Sequence, residues 1–290
     1  MDWLSRLNKA IDYIEENLED NLNIEDIADQ AYASPYHFAK MFFAILGVSP
    51  AEYIRRRRLT LAAKDLMSQD TKVIDVALKY GYESPNAFTR AFRNMHGVNP
   101  KDIHNSGVSI STFNRLTFDI KITGGTQMEY KIVERPAFKI VGKSKKYKLD
   151  EFLKDGGKYW KEYIQSDEYK KLWGITQGRC GTISQAPMMS IYLPQNGSQE
   201  SFINILGIEV DDGVDTLGFE SFEIPAATYA EFDATLKTSM KVNRYIYSEW
   251  FASTGYERDS SKPDIESYYP MAFGSPQSSA TRWWIPIVKK

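Results

Sequence analysis

Apolar positions in the first third of the chain recur every three to four residues, and they do so in two rounds. Ile24, Ile27, Ala28 and Ala31 form one short stripe, and Ile74, Ala77 and Leu78 form another. Such spacing predicts amphipathic helices with one buried face. Each stripe is followed by a turn and a Ser-Pro pair, Ser34-Pro35 or Ser84-Pro85. Serine suits the N-cap of a new helix and proline, with φ already near the helical value, suits its first position. The restarted helices carry further stripes, Phe38, Met41, Phe42 and Ile45 in one and Phe88, Ala91, Phe92 and Met95 in the other. Gly47-Val48 and Gly97-Val98, followed by Pro50 and Pro100, read as C-caps and stops. Between the rounds, AEYIRRRRLTLAAKDLM predicts one helix, Ala51 to Met67, with Tyr53, Ile54, Leu61, Ala62 and Leu66 as its stripe.

From the turn onward the two rounds match at an offset of 50 residues: Ser34/Ser84, Pro35/Pro85, Phe38/Phe88, Phe42/Phe92, Gly47/Gly97 and Pro50/Pro100. Helix, turn and second helix, stated twice, describe a double helix-turn-helix, whose second helices are shaped for the DNA major groove. Opposite the buried stripes lie Tyr36, Ala39, Lys40 and Phe43 in one copy and Asn86, Thr89, Arg90 and Arg93 in the other. Asn can pair bidentately with adenine, Arg with guanine, and the Thr methyl can meet thymine. The joining helix spans roughly 25 Å at about 1.5 Å per residue. With its flanking units it can hold two reading helices near the ~34 Å repeat of one DNA face. The turns differ: the second offers Gly81 for a left-handed backbone, where the first, one residue shorter, offers Tyr32.

The whole chain is formally −2, yet its charge is unevenly placed. Residues 1–29 hold nine Asp/Glu against two Lys/Arg, whereas residues 34–101 hold eleven Lys/Arg against five Asp/Glu. That puts positive charge where a phosphate backbone would run. Arg55-Arg56-Arg57-Arg58 is the densest run, and on a helix its four members point in four directions, so that Arg55 and Arg56 are the candidates for phosphate.

After His104 the helical periodicity stops. NSGVSISTFNRLTFDIKITGGTQ reads as a linker holding one strand, with alternation at Leu116, Phe118, Ile120 and Ile122. From Met128 the pattern is strand-like, then helical through LDEFLKDGGKYWKEYIQSDEYKKLW, then strand-like at MMSIYLP, INILGIEV and ATYAEFDA. A helix around Met240 to Ser253 and two final strands, IESYYP and RWWIPIV, complete an α+β domain. At 290 residues, two domains are expected: 1–106 as an all-α double helix-turn-helix, 107–127 as linker, and 128–290 as an antiparallel sheet with helices. One cysteine, Cys180, excludes an internal disulfide framework, and three scattered histidines offer no metal-ligand spacing; no metal or cofactor is expected. With no signal segment or long apolar run, the expected address is a reducing cytoplasm without membrane contact. The second half is rich in Trp and Tyr, whose rings fill cores and also line small-molecule pockets.

These residues resemble two known families. Residues 5–104, and above all GYESPNAFTRAFRNMHGVNP, are similar to the DNA-binding domain of AraC/XylS transcription regulators. By position, the resemblance implies recognition contacts at Tyr36, Ala39 and Lys40 and at Pro85, Asn86, Thr89 and Arg90, and a structural role for Arg58, with Asp75 as a candidate partner. Residues 128–290 resemble the GyrI-like effector-binding domain through MEYKIVERPAFKIVGKS, FESFEIPAATYAEF and DIESYYP…RWWIPIVKK. Members of that family hold lipophilic cations with an acidic residue among aromatics, and the matching residue is Glu266. Strand alternation places Asp264, Glu266 and Tyr268 on one face. Tyr192, Tyr229, Trp250 and Trp283 join Glu266 and Tyr268 as the expected pocket. The combined reading is a one-component transcription regulator, an activator, that binds double-stranded promoter DNA and a small apolar or cationic effector, with RNA polymerase as a candidate partner. Two alternatives stand beside this non-enzymatic reading: a GyrI-like hydrolase using Glu266 with a tyrosine hydroxyl, and a protein that sequesters toxic compounds.

Overall fold

A helix that the two rounds of periodicity do not cover, α1 (Trp3–Glu16), precedes the first round, α2 (Ile24–Gln30) and α3 (Pro35–Leu46); α4 (Pro50–Leu66) joins it to the second, α5 (Val73–Lys79) and α6 (Pro85–His96), closed by a 3-10 turn at Pro100–Asp102. The computed structural model describes residues 3–68, 71–105, 107–117, 128–194, 201–269 and 280–289. They fall into two units, one of residues 1–35 and 46–121, the other of residues 36–45 and 122–290, so that most of α3 groups with the second.

Local chemistry sets the helix ends of the first unit. Asn23, Ser49 and Ser84 each accept a hydrogen bond from a backbone N–H three residues on and so start α2, α4 and α6. The Ser34 hydroxyl, by contrast, is buried with no hydrogen-bond partner among the described residues. Gly47 and Gly97 take positive φ at the ends of α3 and α6, as C-cap glycines do. In the turns, Gly81 has φ 75° and Tyr32 has φ 54°. The first turn therefore keeps the left-handed geometry without glycine, at a cost of about 1–2 kcal/mol.

Helix α4 is the spine of this unit. Leu59, Ala62, Ala63 and Leu66 pack against Val76, Ala77, Tyr80, Phe88 and Phe92. Arg57 donates to both Glu15 oxygens at 2.8 Å and to the Phe113 carbonyl at 2.6 Å, while Tyr53 donates to Glu15 at 2.6 Å. Arg58 is structural, but its partners are the carbonyls of Leu18 and Asp20 rather than Asp75. Residues 107–117 carry no strand; the Phe113 N–H donates to Thr60 Oγ1 at 3.0 Å. The rest of the strand expected in the linker, from Phe118 on, lies outside the described residues.

In the second unit the strands are β1 (Tyr130–Arg135), β2 (Phe138–Lys148), β3 (Met188–Pro194), β4 (Ser201–Glu209), β5 (Glu220–Ile224), β6 (Ala227–Thr235), β7 (Tyr256–Arg258), β8 (Asp264–Tyr268) and β9 (Ala280–Lys289). Their order is β1-β6-β9-β8-β3-β4-β2-β5, with β7 on β9, and every pairing is antiparallel. The long helical stretch after β2 divides into α7 (Leu149–Tyr163) and α8 (Asp167–Thr176), because Ser166 caps a fresh start by accepting from the Tyr169 N–H. After β6 comes α9 (Ser239–Tyr245), which passes through a π-helical segment, Ile246–Trp250, into a last turn at Phe251–Ser253.

Alternation gives the sheet two apolar faces. One carries Tyr192, Phe202, Ala230, Phe232, Trp283 and Ile285 and packs on α9, its π segment and the α3 residues Tyr36 and Ala44. The other carries Ile140, Ile191, Ile205, Tyr229, Ile265 and Trp284. Among the described residues no helix is long and apolar enough to cross a membrane.

The Arg57–Glu15 pair yields a stability prediction. Burial works to raise the Glu15 pKa, but the hydrogen bonds from Arg57 and Tyr53 outweigh it and hold the carboxyl below its ordinary 4.5. A carboxyl depressed in the folded state stabilises above its unfolded pKa and loses that contribution as pH falls through the folded value. In urea denaturation Glu15→Gln should cost about 2–3 kcal/mol at pH 7. The difference from the parent should shrink progressively as pH falls below 4.5.

Candidate functional site

Four aromatic and acidic residues expected at the effector site lie together. Tyr192, Glu266, Tyr268 and Trp283 line one cavity of about 230 Å³ in the second unit, with α7 and α9 contributing Phe152 and Ser239. The strands explain the grouping. Glu266 on β8 stands in register between Ser190 on β3 and Trp283 on β9, the centre of the sheet. Tyr192 and Trp283 stack with centroids 5.8 Å apart.

Glu266 is 6% exposed and accepts a hydrogen bond at each oxygen. Ser239 Oγ donates to its Oε1 at 2.7 Å while accepting from Trp283 Nε1–H at 2.9 Å, and the Tyr268 hydroxyl donates to Oε2 at 2.9 Å. Burial pushes the Glu266 carboxyl above its ordinary range, against the hydroxyls of Ser239, Tyr268 and Tyr192 and the Lys40 charge. No arginine or lysine forms a salt bridge with it among the described residues; Arg282 pairs instead with Glu231 and Asp233.

Two residues further back on the same strand face, Asp264 has no exposure at all. Arg258 holds one oxygen through Nε at 3.0 Å and Nη2 at 2.9 Å. Lys40 Nζ holds the other at 2.5 Å, and the Tyr247 hydroxyl approaches it at 3.4 Å. Burial would raise the Asp264 pKa, but the Arg258 and Lys40 charges prevail and keep it well below the usual carboxylate range. Lys40 Nζ also lies 4.8 Å from the Tyr192 centroid and 5.0 Å from that of Trp283, within cation–π reach of both rings. Burial lowers the Lys40 pKa, opposed by Asp264.

The other two expected pocket residues do not reach the cavity. Tyr229 precedes Ala230 on β6, and alternation sends it to the opposite face, 5.6 Å from Trp284. Trp250, in the π segment, is spent on the core, edge-on to Phe232 at 5.2 Å and stacked on Tyr256 at 5.9 Å. Asp264 and Ser239 are not among the residues that the sequence assigns to the pocket. For Asp264 a signal existed, its shared strand face with Glu266; Ser239 carries none.

The candidate DNA-reading residues divide sharply. On α6, Pro85, Asn86, Arg90 and Arg93 are exposed and Thr89 is half-buried, opposite the fully buried Phe88 and Phe92. On α3, Tyr36 and Ala39 are each only 4% exposed, and Lys40 is engaged by Asp264. Arg55 and Arg56 both pair with Glu52, and the Arg56 guanidinium lies 5.3 Å over the Phe113 ring. No cluster of His, Cys, Asp and Glu suited to a metal occurs among the described residues.

Comparison with known proteins finds two separate matches along the chain. Residues 27–106 match the helix-turn-helix domain family, and residues 131–287 match the family described as integron-associated effector binding protein. The transcriptional activator AarP of Providencia stuartii is 38% identical over 96 residues, 33% of this chain and 71% of that protein. The HTH-type regulator YbfP of Bacillus subtilis is 42% identical over 94 residues, 32% of each. Among solved structures, the protein SAV2435 bound to tetraphenylphosphonium aligns over 56% of this chain and 94% of its own, at 17% identity and a TM-score of 0.45. The chain belongs to the family of integron-associated effector binding proteins and carries an AraC-type helix-turn-helix domain ahead of that module. The two matches together support a DNA-binding regulator with a ligand-binding domain.

The raised Glu266 pKa makes a prediction with the sign opposite to that for Glu15. A carboxyl harder to ionise when folded costs stability above its unfolded pKa and nothing below it. Glu266→Gln should therefore gain stability relative to the parent as pH rises from below 4.5 toward neutrality. Urea unfolding across that range measures the difference; a gap independent of pH would contradict the assignment.

Proposed function

We propose that this chain is a one-component transcription activator whose α6 reads base edges in promoter DNA and whose second unit binds an apolar organic cation beside Glu266. The observation that carries the effector half is a buried carboxylate, free of any salt bridge among the described residues, in an aromatic-lined cavity. A cation there gains the charge of Glu266 and the faces of Tyr192 and Trp283, where each cation–π contact contributes about 0.5–2 kcal/mol. A neutral apolar ligand would gain the ring faces but not the attraction of the Glu266 charge. Activation is the reading favoured by the likeness to an activator, and RNA polymerase is its natural partner.

For the DNA half, the exposed Asn86 offers a paired donor and acceptor and Arg90 two donors for bidentate base contacts, and Arg93 and Arg55 supply charge to the phosphates. A second reading, proton transfer to a bound substrate, draws on the 2.9 Å hydrogen bond from Tyr268 to Glu266. Chemical change of a ligand incubated with the protein would favour it.

Sequences selected from a random DNA pool provide the test. Alanine at Asn86 or Arg90 should cost about 1–3 kcal/mol on the selected site and relax preference at one position. Uniform weakening on all sequences would reduce both residues to phosphate contacts. For the effector, calorimetric titration with tetraphenylphosphonium should give binding that Glu266→Gln weakens about tenfold or more. Equal binding by both proteins would remove Glu266 from the site.

A further inference from the structure

The cation position beside Asp264 and Glu266 is already filled, and what fills it is a residue of α3. Lys40 is aligned by sequence with the recognition face of the first helix-turn-helix, yet its ammonium is bonded to Asp264 and set against the rings of Tyr192 and Trp283. Those rings and the neighbouring Glu266 are the groups that would receive an organic cation. Tyr36 and Phe43 from the same helix form part of the cavity wall, Tyr36 with its ring 4.8 Å from that of Phe202. At about 230 Å³ the cavity is smaller than the ~300–1,000 Å³ usual for organic ligands. Withdrawal of Tyr36, Lys40 and Phe43 would enlarge it.

We propose that α3 is a built-in competitor for the effector: Lys40 occupies the cation site, and an apolar cation that enters displaces α3 and frees it to read DNA. This rests on the effector reading above and adds the regulation of that site. The two states exclude one another on simple grounds. One cavity cannot hold two cations against the same ring faces, and a Tyr36 that is 4% exposed cannot meet a base edge. Asp264 keeps Arg258 when Lys40 leaves, so displacement does not strand a buried charge. The α6 reading face needs no release, because its polar side chains are already exposed. The effector would thus convert a protein with one free reading helix into one with two.

The experiment uses the full chain, its Lys40→Met variant, which keeps the stem and removes the charge, and Lys40→Gln should the first not fold. Tetraphenylphosphonium is titrated by calorimetry, and hydrogen exchange of the 36–46 amides is followed by mass spectrometry. Removing an internal competitor should tighten cation binding about tenfold. Saturating cation should speed exchange across 36–46 in the parent. Its affinity for the selected DNA should rise with cation, while that of the Lys40 variant, whatever its level, should respond little. Cation binding of equal strength in parent and variants, with 36–46 exchange unchanged, overturns the competitor and leaves the effector site standing. No binding to any of the proteins overturns the effector reading itself, and the competitor with it.

Discussion

Asp264 is the constraint on which the second unit is arranged. A carboxylate with no solvent exposure stays ionised only where its charge is matched, and leaving such a group uncompensated costs about 3–5 kcal/mol. Arg258 meets it from β7 and also donates to the carbonyls of Asp259 and Lys262, so the same guanidinium closes the loop into β8. With β8 between β3 and β9, this fixes the strand that presents Glu266 to the cavity. Ser239 then ties Glu266 to Trp283, joining the start of α9 to the aromatic wall. Acid, ring and hydroxyl positions at the cavity thus follow from one buried charge and the alternation of three central strands.

The duplicated helix-turn-helix shows how shared architecture can carry unequal duties. Both copies have a buried phenylalanine pair, Phe38/Phe42 and Phe88/Phe92, with ring centroids 5.5 Å apart in each. They differ in punctuation and outer face. The second has its glycine turn, its serine cap and a polar outer surface; the first has Tyr32 with φ 54°, a Ser34 hydroxyl without a partner among the described residues, and an apolar outer surface broken by Lys40. An apolar face with one cation suits surroundings that offer rings and a carboxylate, and the unit to which residues 36–45 belong offers both.

Local signals made much of this legible in the sequence. The helices of both rounds, α4 within one residue at each end, the glycine caps and seven of the nine strands follow from periodicity and turn chemistry. β5 and β7 escape it, one because its exposure pattern lacks clean alternation, the other because it is three residues long. Glu266, Tyr192, Tyr268 and Trp283 were legible as a set because acid and aromatic residues repeat on strands. Residue type alone points to Tyr229 and Trp250, against strand parity in the first case and without the π-helical segment, which resets the helix face, in the second. Tyr36 and Lys40 stand on the outer face of α3 as periodicity requires, but what covers that face is set by a pairing 224 residues apart in the chain, which no local pattern encodes.

The most direct test of the central claim, that the Lys40 ammonium holds the place of a cationic effector, is the chemical reactivity of Lys40 itself. Acetylation of individual lysines, followed by mass spectrometry in the parent protein, should find Lys40 protected relative to the exposed Lys101. Saturating tetraphenylphosphonium should bring it to a comparable rate. A Lys40 that reacts as freely as Lys101 without cation, or stays protected when the cation is bound, would contradict the account.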